Sequence, residues 1–511
     1  MEENFTSMTF SFMENLFMKM SVNFFKAKNS SLCAEINGIK LNSAYDPEKE
    51  AERFVCNIKP DFRPSRIFFL EPCIPYAVHF LNQKFKNIPL TIIRYTHSFD
   101  SFNDSKNKTI FFENENQFQM ELSFFREEDF FSSFFIEWPS SKNAFSEISR
   151  KVHDAIKKQL DFSKTLLVTR NYFSSRWFKN KIIFSKYAQN IFTIKKGSQD
   201  ILITASGESL EYSIEKIKEL RKHFFLIALS SSLECLLYNK ITPDAVLSTD
   251  GGYYAEKHIS SLEKHNIPLI ISMEARCQKK ILEKNPLIPL FYEKDYPEEK
   301  EIQEIFKIPA IKAERNGTVS GTALILALSL TDGNVFFSGL DLYPSKAFQH
   351  ANPNNLEILD MQNETRIKNK MTSLSKKMFN CESLKIYENW FKSNSKKFEK
   401  RVFRLSDNFC YKNSLNFIKD INFSCAEKII TKNPKKIIIE KTDYKKDSNF
   451  KNKMLDFLSS QKKNSAFIKN TFPLESVIIE KTLDENEKNK KIENLNEKTC
   501  TLIKKSKDLI L

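Results

Sequence analysis

The stretch that decides the fold runs from ILITASGESL, residues 201–210, to NVFFSGLDL, residues 334–342. Within it, short apolar runs alternate with segments whose apolar residues recur every three or four positions, as at Leu210, Ile214 and Ile217. The runs are typical of buried strands and the periodic segments of amphipathic helices, so their alternation indicates parallel β-α-β units. The sequence predicts an α/β fold with a doubly wound, Rossmann-like, mostly parallel sheet, whose ligands lie beyond the carboxyl ends of its strands.

The placement of glycine indicates where a ligand binds. The chain has 9 glycines in 511 residues, and seven of them fall between Gly207 and Gly339. In so glycine-poor a chain, a glycine is expected where the backbone needs unusual freedom or must approach another group closely. We therefore expect the ligand site in this central segment rather than in its flanks.

Length and local composition predict three domains. Residues 1–195 mix strand-like runs with Phe-rich helical stretches and are expected to form an α/β accessory domain. Residues 196–405 form the central domain. Residues 406–511 are lysine-rich and mainly helical, with disorder expected around residues 484–498.

Composition also limits the functional classes. The formal charge of +15 is compatible with an anionic partner, but residues 426–511 hold 20 lysines, 13 acidic residues and no arginine, which favours a solvated surface over a nucleic-acid interface. No apolar run approaches the roughly 20 residues of a transmembrane segment, and the N-terminus lacks a secretory signal. Nine scattered cysteines form no C-x-x-C pair. We therefore predict a cytoplasmic protein without a nucleic-acid partner.

The first candidate segment is ASGESL, residues 205–210, which joins a predicted strand to a predicted helix. Gly207 lets the backbone approach a ligand closely, and the N–H groups of the helix that begins near Ser209 point towards a bound anion. One glycine in such a turn is nevertheless common in α/β proteins. Glu208 has a simple explanation as well, since an acidic residue at a helix start is favoured by the helix dipole.

The second segment is PDAVLSTDGG, residues 243–252, in which a strand ends at Asp250 and two glycines follow. A carboxylate at the end of a strand can reach a ribose hydroxyl, a metal or a sugar amine. The alternative is that Asp250 caps the helix that begins near Tyr253.

The last two segments are NGTVSGT, residues 316–322, and FSGLDLYPSKAFQHA, residues 337–351. The first groups an amide, hydroxyls and two glycines before an apolar helix, which suits a phosphate or a base better than simple capping does. The second places Gly339, Asp341, Tyr343 and His350 beyond the last strand. An unperturbed histidine pKa of about 6.5 suits a general base, although a lone loop histidine is more often a surface residue.

In this order the four segments resemble the motility-associated factor (Maf) glycosyltransferases and the related MptE-like 6-hydroxymethylpterin pyrophosphokinase proteins, whose central domain is similar to bacterial sialyltransferases that use CMP-activated sugars. ILITASGESL resembles the family's strand followed by G-x-G-P-S-L, and residues 225–252 resemble its strand, helix and terminal-aspartate block. Residues 316–344 resemble its block that ends in G-x-D-L-x-Y. Upstream, LNSAYDPEKEAERFV, residues 41–55, resembles L-H-S-x-Y-D-P-x-K-E-A-E-R, and the resemblance covers about residues 35–410.

The resemblance implies transfer of a nonulosonic, sialic-acid-like sugar from a CMP donor to serine or threonine of flagellin, with His350 as the base. It implies no required cofactor, although Mg²⁺ stays open. The residues it assigns to the nucleotide donor are Ser206, Gly207, Ser209, Ser230, Asp250, Gly251, Asn316, Gly317, Thr318, Ser320, Gly321, Thr322, Gly339, Asp341 and Tyr343.

The chain also departs from the family pattern. Ala205 and Glu208 replace the first glycine and the proline of G-x-G-P-S-L, and Ser230 and Ser231 stand where relatives carry asparagine. Catalytic activity therefore stays open. Two alternatives remain: an ATP-dependent pyrophosphokinase whose Mg²⁺ is held by Asp250 and Asp341, and a non-enzymatic flagellin-binding or flagellar assembly protein.

Overall fold

The computed structural model describes residues 22–292, 297–342, 350–367, 382–395, 398, 400–407, 415 and 418–511. Packing divides the chain into two compact units. The first comprises the described part of Met1–Tyr172 together with Thr471–Lys498, and the second comprises the described parts of Phe173–Asn470 and Thr499–Leu511. The domain boundaries at residues 195 and 405 rest on composition and stay a prediction.

The described residues form the following regular elements. The strands are β1 Asn23–Lys26, β2 Leu32–Ile36, β3 Ile39–Lys40, β4 Arg66–Leu70, β5 Leu90–Arg94, β6 Lys108–Phe111, β7 Ser133–Glu137, β8 Phe192–Lys195, β9 Ile201–Thr204, β10 Phe225–Leu229, β11 Ala245–Ser248, β12 Leu269–Ser272, β13 Leu287–Phe291, β14 Ile311–Lys312, β15 Val335–Ser338, β16 Val402–Leu405, β17 Lys419–Ile421 and β18 Ile438–Lys441. The α-helices are α1 Pro47–Asn57, α2 Tyr76–Lys84, α3 Glu115–Ser123, α4 Glu127–Phe131, α5 Pro139–Ala144, α6 Ser146–Tyr187, α7 Ser209–Leu220, α8 Leu233–Tyr238, α9 Tyr253–His258, α10 Lys279–Lys284, α11 Pro297–Phe306, α12 Val319–Leu330, α13 Asn355–Gln362, α14 Glu382–Asn394, α15 Phe423–Ile429, α16 Phe450–Ser460, α17 Ser465–Thr471, α18 Pro473–Lys481 and α19 Glu485–Asp508.

The first unit contains a four-stranded parallel sheet in the order β6-β5-β4-β7, together with a small antiparallel sheet of β1, β2 and β3. Its core is rich in phenylalanine: the ring of Phe68 contacts Phe125 and Phe130 edge-on and stacks on Phe135. Aromatic rings fill large volumes between sheet and helices without requiring glycine. This packing agrees with the α/β accessory fold predicted for the N-terminal part.

The second unit contains nine parallel strands in the order β14-β13-β12-β11-β10-β9-β15-β16-β17. The chain starts at β9, adds β10 to β14 on one side, and then crosses to the other side to add β15 next to β9. Strands β9, β10 and β15 are buried throughout, as expected for a parallel sheet covered on both faces. The predicted doubly wound sheet is confirmed, and its topological switch point lies between β9 and β15.

The C-terminal region is more ordered than its composition suggests. Residues 485–508 form the single helix α19, whereas the composition predicted disorder around residues 484–498. The reason is a stripe of buried residues on one face of the helix, which includes Leu495, Thr499, Leu502 and Ser506. Lysine and glutamate cover the remaining faces and mask this stripe in the overall composition. No helix in the described ranges is long and apolar enough to cross a membrane.

Candidate functional site

Two of the predicted segments meet at the switch point between β9 and β15. The backbone N–H of Ala205 donates to the Ser338 carbonyl at 2.8 Å, and that of Gly207 donates to the Gly339 carbonyl at 2.7 Å. Gly339 has a φ of +77°, so this turn needs the left-handed region that glycine adopts readily. The turn after β9 and the turn after β15 therefore lie in direct contact at the carboxyl edge of the sheet.

Asp341 occupies the start of helix α7. The Ser209 backbone N–H donates to Oδ2 of Asp341 at 2.9 Å, and the Ser209 hydroxyl donates to Oδ1 at 2.5 Å. A Cβ on Gly207 would collide with the same carboxylate and lie 2.6 Å from the Gly339 carbonyl oxygen. The Ser209 N–H, which the sequence predicted as a phosphate donor, is thus bonded to an internal carboxylate, and Gly207 is required by internal packing.

A row of hydroxyls follows β9 and β10. The Ser231 hydroxyl donates to Oγ of Ser206 at 2.9 Å, and the Ser232 hydroxyl donates to the Thr204 carbonyl at 2.8 Å. Ser230 is buried beside them. Ser232 was not among the predicted residues, because a serine inside a helix start gives no distinctive sequence signal.

His350 lies in a polar cluster and is mostly buried, with 17% of its side chain exposed. Its backbone N–H donates to Oε1 of Glu357 at 3.2 Å, and its ring Nδ1 lies 3.8 Å from the same oxygen. The ring of His258 meets it edge-on with centroids 5.3 Å apart. Burial, and then the charge of His350, lower the pKa of His258 to about 4. The sequence pattern pointed to His350 but gave no sign of Glu357 or His258.

Asp250 is exposed and stabilises its own turn. Its Oδ1 accepts the Gly252 N–H at 2.8 Å, and Gly252, rather than Asp250, is the residue before helix α9. Burial, and then the charge of Asp250, raise the pKa of Tyr387. A Cβ on Gly251 would lie 2.6 Å from Nε1 of Trp177, so that glycine allows the indole to pack against the turn.

The segment before helix α12 is open. Gly317 has a φ of +68°, and no described atom lies within 4 Å of the position that a Cβ would take there. Thr318 stands at the N-cap but its side chain makes no capping hydrogen bond, and the side-chain amide of Asn316 donates to the Glu314 carbonyl instead. Ser320 and Thr322 are buried, and a Cβ on Gly321 would lie 2.9 Å from the ring of Trp390.

A charged cluster that the sequence did not reveal lies beside Asp250 and this segment. Arg315 forms an ion pair with Glu274, and its guanidinium lies 4.7 Å from the Trp177 ring centroid. Trp177 lies in helix α6, and four residues further along that helix Lys181 forms a buried ion pair with Glu298 at 2.9 Å. Trp177 and Lys181 come from the end of the long helix α6, so no local motif links them to the strand ends.

The remaining predicted positions are Tyr343 and the two aspartates considered for Mg²⁺. Tyr343 lies outside the described residues. Asp250 and Asp341 follow strands β11 and β15, which are three places apart in the sheet, or about 14 Å at the usual strand spacing. The described residues contain no group of three histidine, cysteine or acidic side chains that could hold a metal ion. The two aspartates therefore do not fit a single shared Mg²⁺.

Residues 174–346 match the family described as 6-hydroxymethylpterin diphosphokinase MptE-like. The central part of this chain is therefore similar to MptE-like domains. The match includes the end of helix α6, every strand from β8 to β15, and all the residues assigned above to the nucleotide donor. The base candidate His350 follows the matched range by four residues. The resemblance to MptE-like proteins that the sequence motifs predicted is confirmed.

Two known proteins are similar to larger parts of this chain. An uncharacterized protein of Treponema pallidum (strain Nichols) is 28% identical over 259 residues, which are 51% of this chain and 56% of that protein, so the match spans about half of each. The structure of a Maf glycosyltransferase from Magnetospirillum magneticum AMB-1 superposes with a TM-score of 0.51 over 96% of this chain and 92% of that one, at 11% identity. At this identity the likeness establishes a shared fold, and it agrees with the Maf and MptE-like resemblance read from the sequence.

Proposed function

We propose that this protein is a Maf-type glycosyltransferase that moves a nonulosonic sugar from a CMP donor to a serine or threonine hydroxyl of flagellin. The observation that carries the proposal is the polar edge at the switch point, where the hydroxyls of Ser206 and Ser231 and the imidazole of His350 follow neighbouring strands. A fold shared with a Maf glycosyltransferase supports it. The sugar, the CMP donor and the flagellin acceptor are parts of the proposal.

The geometry favours helix α12 for the donor phosphate. The start of helix α7 already binds Asp341, whereas Thr318 leaves the first N–H groups of α12 without a side-chain cap. A twelve-residue helix presents partial positive charge at such an end, which stabilises a bound phosphate. Gly317 leaves room for the ligand beside this helix start. The nucleotide would then lie along the turn from Asn316 to Thr322.

The proposed chemistry is a single displacement. The acceptor oxygen forms a bond to the anomeric carbon while the bond from that carbon to the phosphate oxygen of CMP breaks. The imidazole of His350 takes the proton of the acceptor hydroxyl, and CMP leaves with the bonding electron pair. A positioned base of this kind contributes about 10²- to 10⁴-fold to the rate.

The experiment supplies a CMP-nonulosonic acid and purified flagellin, and measures the mass added to flagellin. The wild-type protein should add one sugar mass per modified residue, and His350→Gln should lose about 10²-fold or more of the rate. His223→Gln is the matched control, because His223 is an exposed histidine in another part of the same unit. Absence of transfer by the wild type, with this donor and acceptor, would refute the proposal.

A second candidate is pyrophosphoryl transfer from ATP to a hydroxymethylpterin, which the name of the matched family favours. That reaction releases AMP and requires Mg²⁺ on the triphosphate. Asp341 would have to release Ser209 to bind such a metal, and Asp250 lies too far away to share it. Formation of AMP from ATP, Mg²⁺ and the pterin would favour this candidate. Binding of flagellin without nucleotide would favour an assembly role.

A further inference from the structure

Residues 350–357 form a short segment that crosses the ends of β9 and β10. The Ala351 N–H donates to the Ser206 carbonyl at 2.7 Å, and the side-chain amide of Asn354 donates to the Ser231 carbonyl at 2.8 Å. Both acceptors belong to the hydroxyl row of the candidate site. The segment therefore fixes the backbone of His350 relative to the strand ends.

Neighbouring helices hold the same segment from the other side. The side-chain amide of Asn355 donates to Oε2 of Glu234 at 3.1 Å and to the Ser260 hydroxyl at 3.2 Å. The Asn352 N–H donates to Oε1 of Glu211 at 2.7 Å. These two glutamates bind asparagines of the segment, so the carboxylate that directly faces the His350 ring among the described residues is Glu357.

The two histidine rings have different electrostatic surroundings. Nδ1 of the His350 ring lies 3.8 Å from Oε1 of Glu357. Burial, and then the charge of His350, oppose protonation of His258, so its pKa falls to about 4. His258 is therefore neutral at neutral pH.

We infer that Glu357 and His258 are positioning residues for His350, so that the carboxylate binds the His350 backbone N–H beside the ring and the His258 ring packs against the imidazole. This inference rests on the proposed function for its catalytic meaning. The structural part of the inference depends on three observations: the hydrogen bond from the His350 backbone to Glu357, the edge-on contact of the two rings, and the segment that links both to the strand ends. Glu357 then stabilises the imidazolium formed when the acceptor hydroxyl loses its proton.

The test is an NMR titration of the histidine ring protons, which needs neither donor nor acceptor. Glu357→Gln keeps the size of the side chain and removes its charge, and it should change the ring-proton chemical shifts of His350, because the carboxylate no longer positions that residue. His350→Gln removes the positive neighbour and should raise the midpoint of His258. His223→Gln should change neither reading. Unchanged His350 chemical shifts in a folded Glu357→Gln protein, or an unchanged His258 midpoint in a folded His350→Gln protein, would overturn the inference.

The kinetic test separates positioning from folding and from the proposed function. His258→Ala removes the ring that packs against His350, so it should lower kcat at least tenfold with little change in KM for the donor, whereas His258→Phe keeps a ring of similar shape and should retain most of kcat with an unchanged Tm. If the wild type transfers sugar and His258→Ala and Glu357→Gln leave kcat unchanged, the positioning roles are wrong and the function stands. If the His258 midpoint shifts as expected but the wild type transfers no sugar, the function is wrong and the contact between the two histidines stands.

Discussion

Two helices begin at the same edge of the central sheet, and they end up with opposite surroundings. Helix α7 starts at Ser209, whose N–H and hydroxyl both bind Asp341, a residue 132 positions further along the chain. Helix α12 starts after Thr318, whose side chain makes no capping bond. Both helix starts carry glycine and hydroxyl residues, so their local sequences predict the same kind of anion-binding site. The difference teaches that a helix start is available to a ligand only if the fold supplies no internal anion.

The glycines at the two starts also serve different purposes. Gly207 has a φ within the ordinary range and is needed because Asp341 and Gly339 approach it closely. Gly317 has a φ of +68° and open space around it. The first glycine therefore belongs to the packing of the switch point. The second keeps a turn open beside an uncapped helix.

The largest effect is expected from Gly207→Val. The new side chain would overlap the Asp341 carboxylate and the Gly339 backbone, and overpacking against backbone atoms costs about 3 kcal/mol or more. Urea unfolding should show this loss, or the protein should fail to fold. Gly317→Asn is the matched control, because asparagine tolerates a left-handed φ and meets no described neighbour. Equal stability of Gly207→Val and wild type would show that the turn is looser than described.

Thr318→Asp should supply the side-chain cap that the start of helix α12 lacks. An aspartate at the N-cap accepts a backbone N–H and favours the helix dipole, which should raise the free energy of unfolding by about 0.5 to 1 kcal/mol. The same charge should repel the donor phosphate and weaken CMP binding about tenfold. Calorimetry with CMP measures the affinity, and Thr318→Asn serves as the uncharged cap. Tighter or unchanged CMP binding in Thr318→Asp would move the phosphate away from helix α12.

Asp341→Ala should leave the N–H and hydroxyl of Ser209, at the start of helix α7, without their internal carboxylate partner. Loss of the two bonds to Ser209 should cost about 1 kcal/mol of stability, in the range of a lost N-cap. CMP affinity should stay within about twofold if helix α12 holds the phosphate. An increase of tenfold or more, read by the same calorimetry, would show instead that Asp341 competes with the ligand for helix α7.

Asp250→Asn should have the smallest effect on stability, within about 0.5 kcal/mol, because the side chain is exposed and an amide oxygen can still accept the Gly252 N–H. If Asp250 contacts the ligand, CMP affinity should fall while Tm is unchanged. Asp250→Ala tests the turn itself, since it removes that bond. A fall in Tm with unchanged affinity in both variants would leave Asp250 a structural role alone.

Much of the fold and part of the site could be predicted locally. Continuous apolar runs marked β9, β10, β11, β12 and β15, because a strand buried on both faces has no polar position to break the run. The two-residue strand β14 was missed, since two residues carry no periodicity. His350 was identified as a titratable residue beyond the last strand. Its neighbour His258 was not, because a histidine at the end of a short helix carries no local signal of the ring that it contacts.

The sequence by itself determined the succession of strands and helices along the chain, because periodicity and turn chemistry are local properties. It also predicted the carboxyl edge as the place of the candidate site and the polar residues that follow the strands there. Only the tertiary structure decided which of those residues bind each other. It directed Asp341 to Ser209, brought His258 to His350, and placed Trp177 against Gly251. These contacts join residues far apart in the chain, and they depend on the strand order of the sheet, which no local pattern encodes.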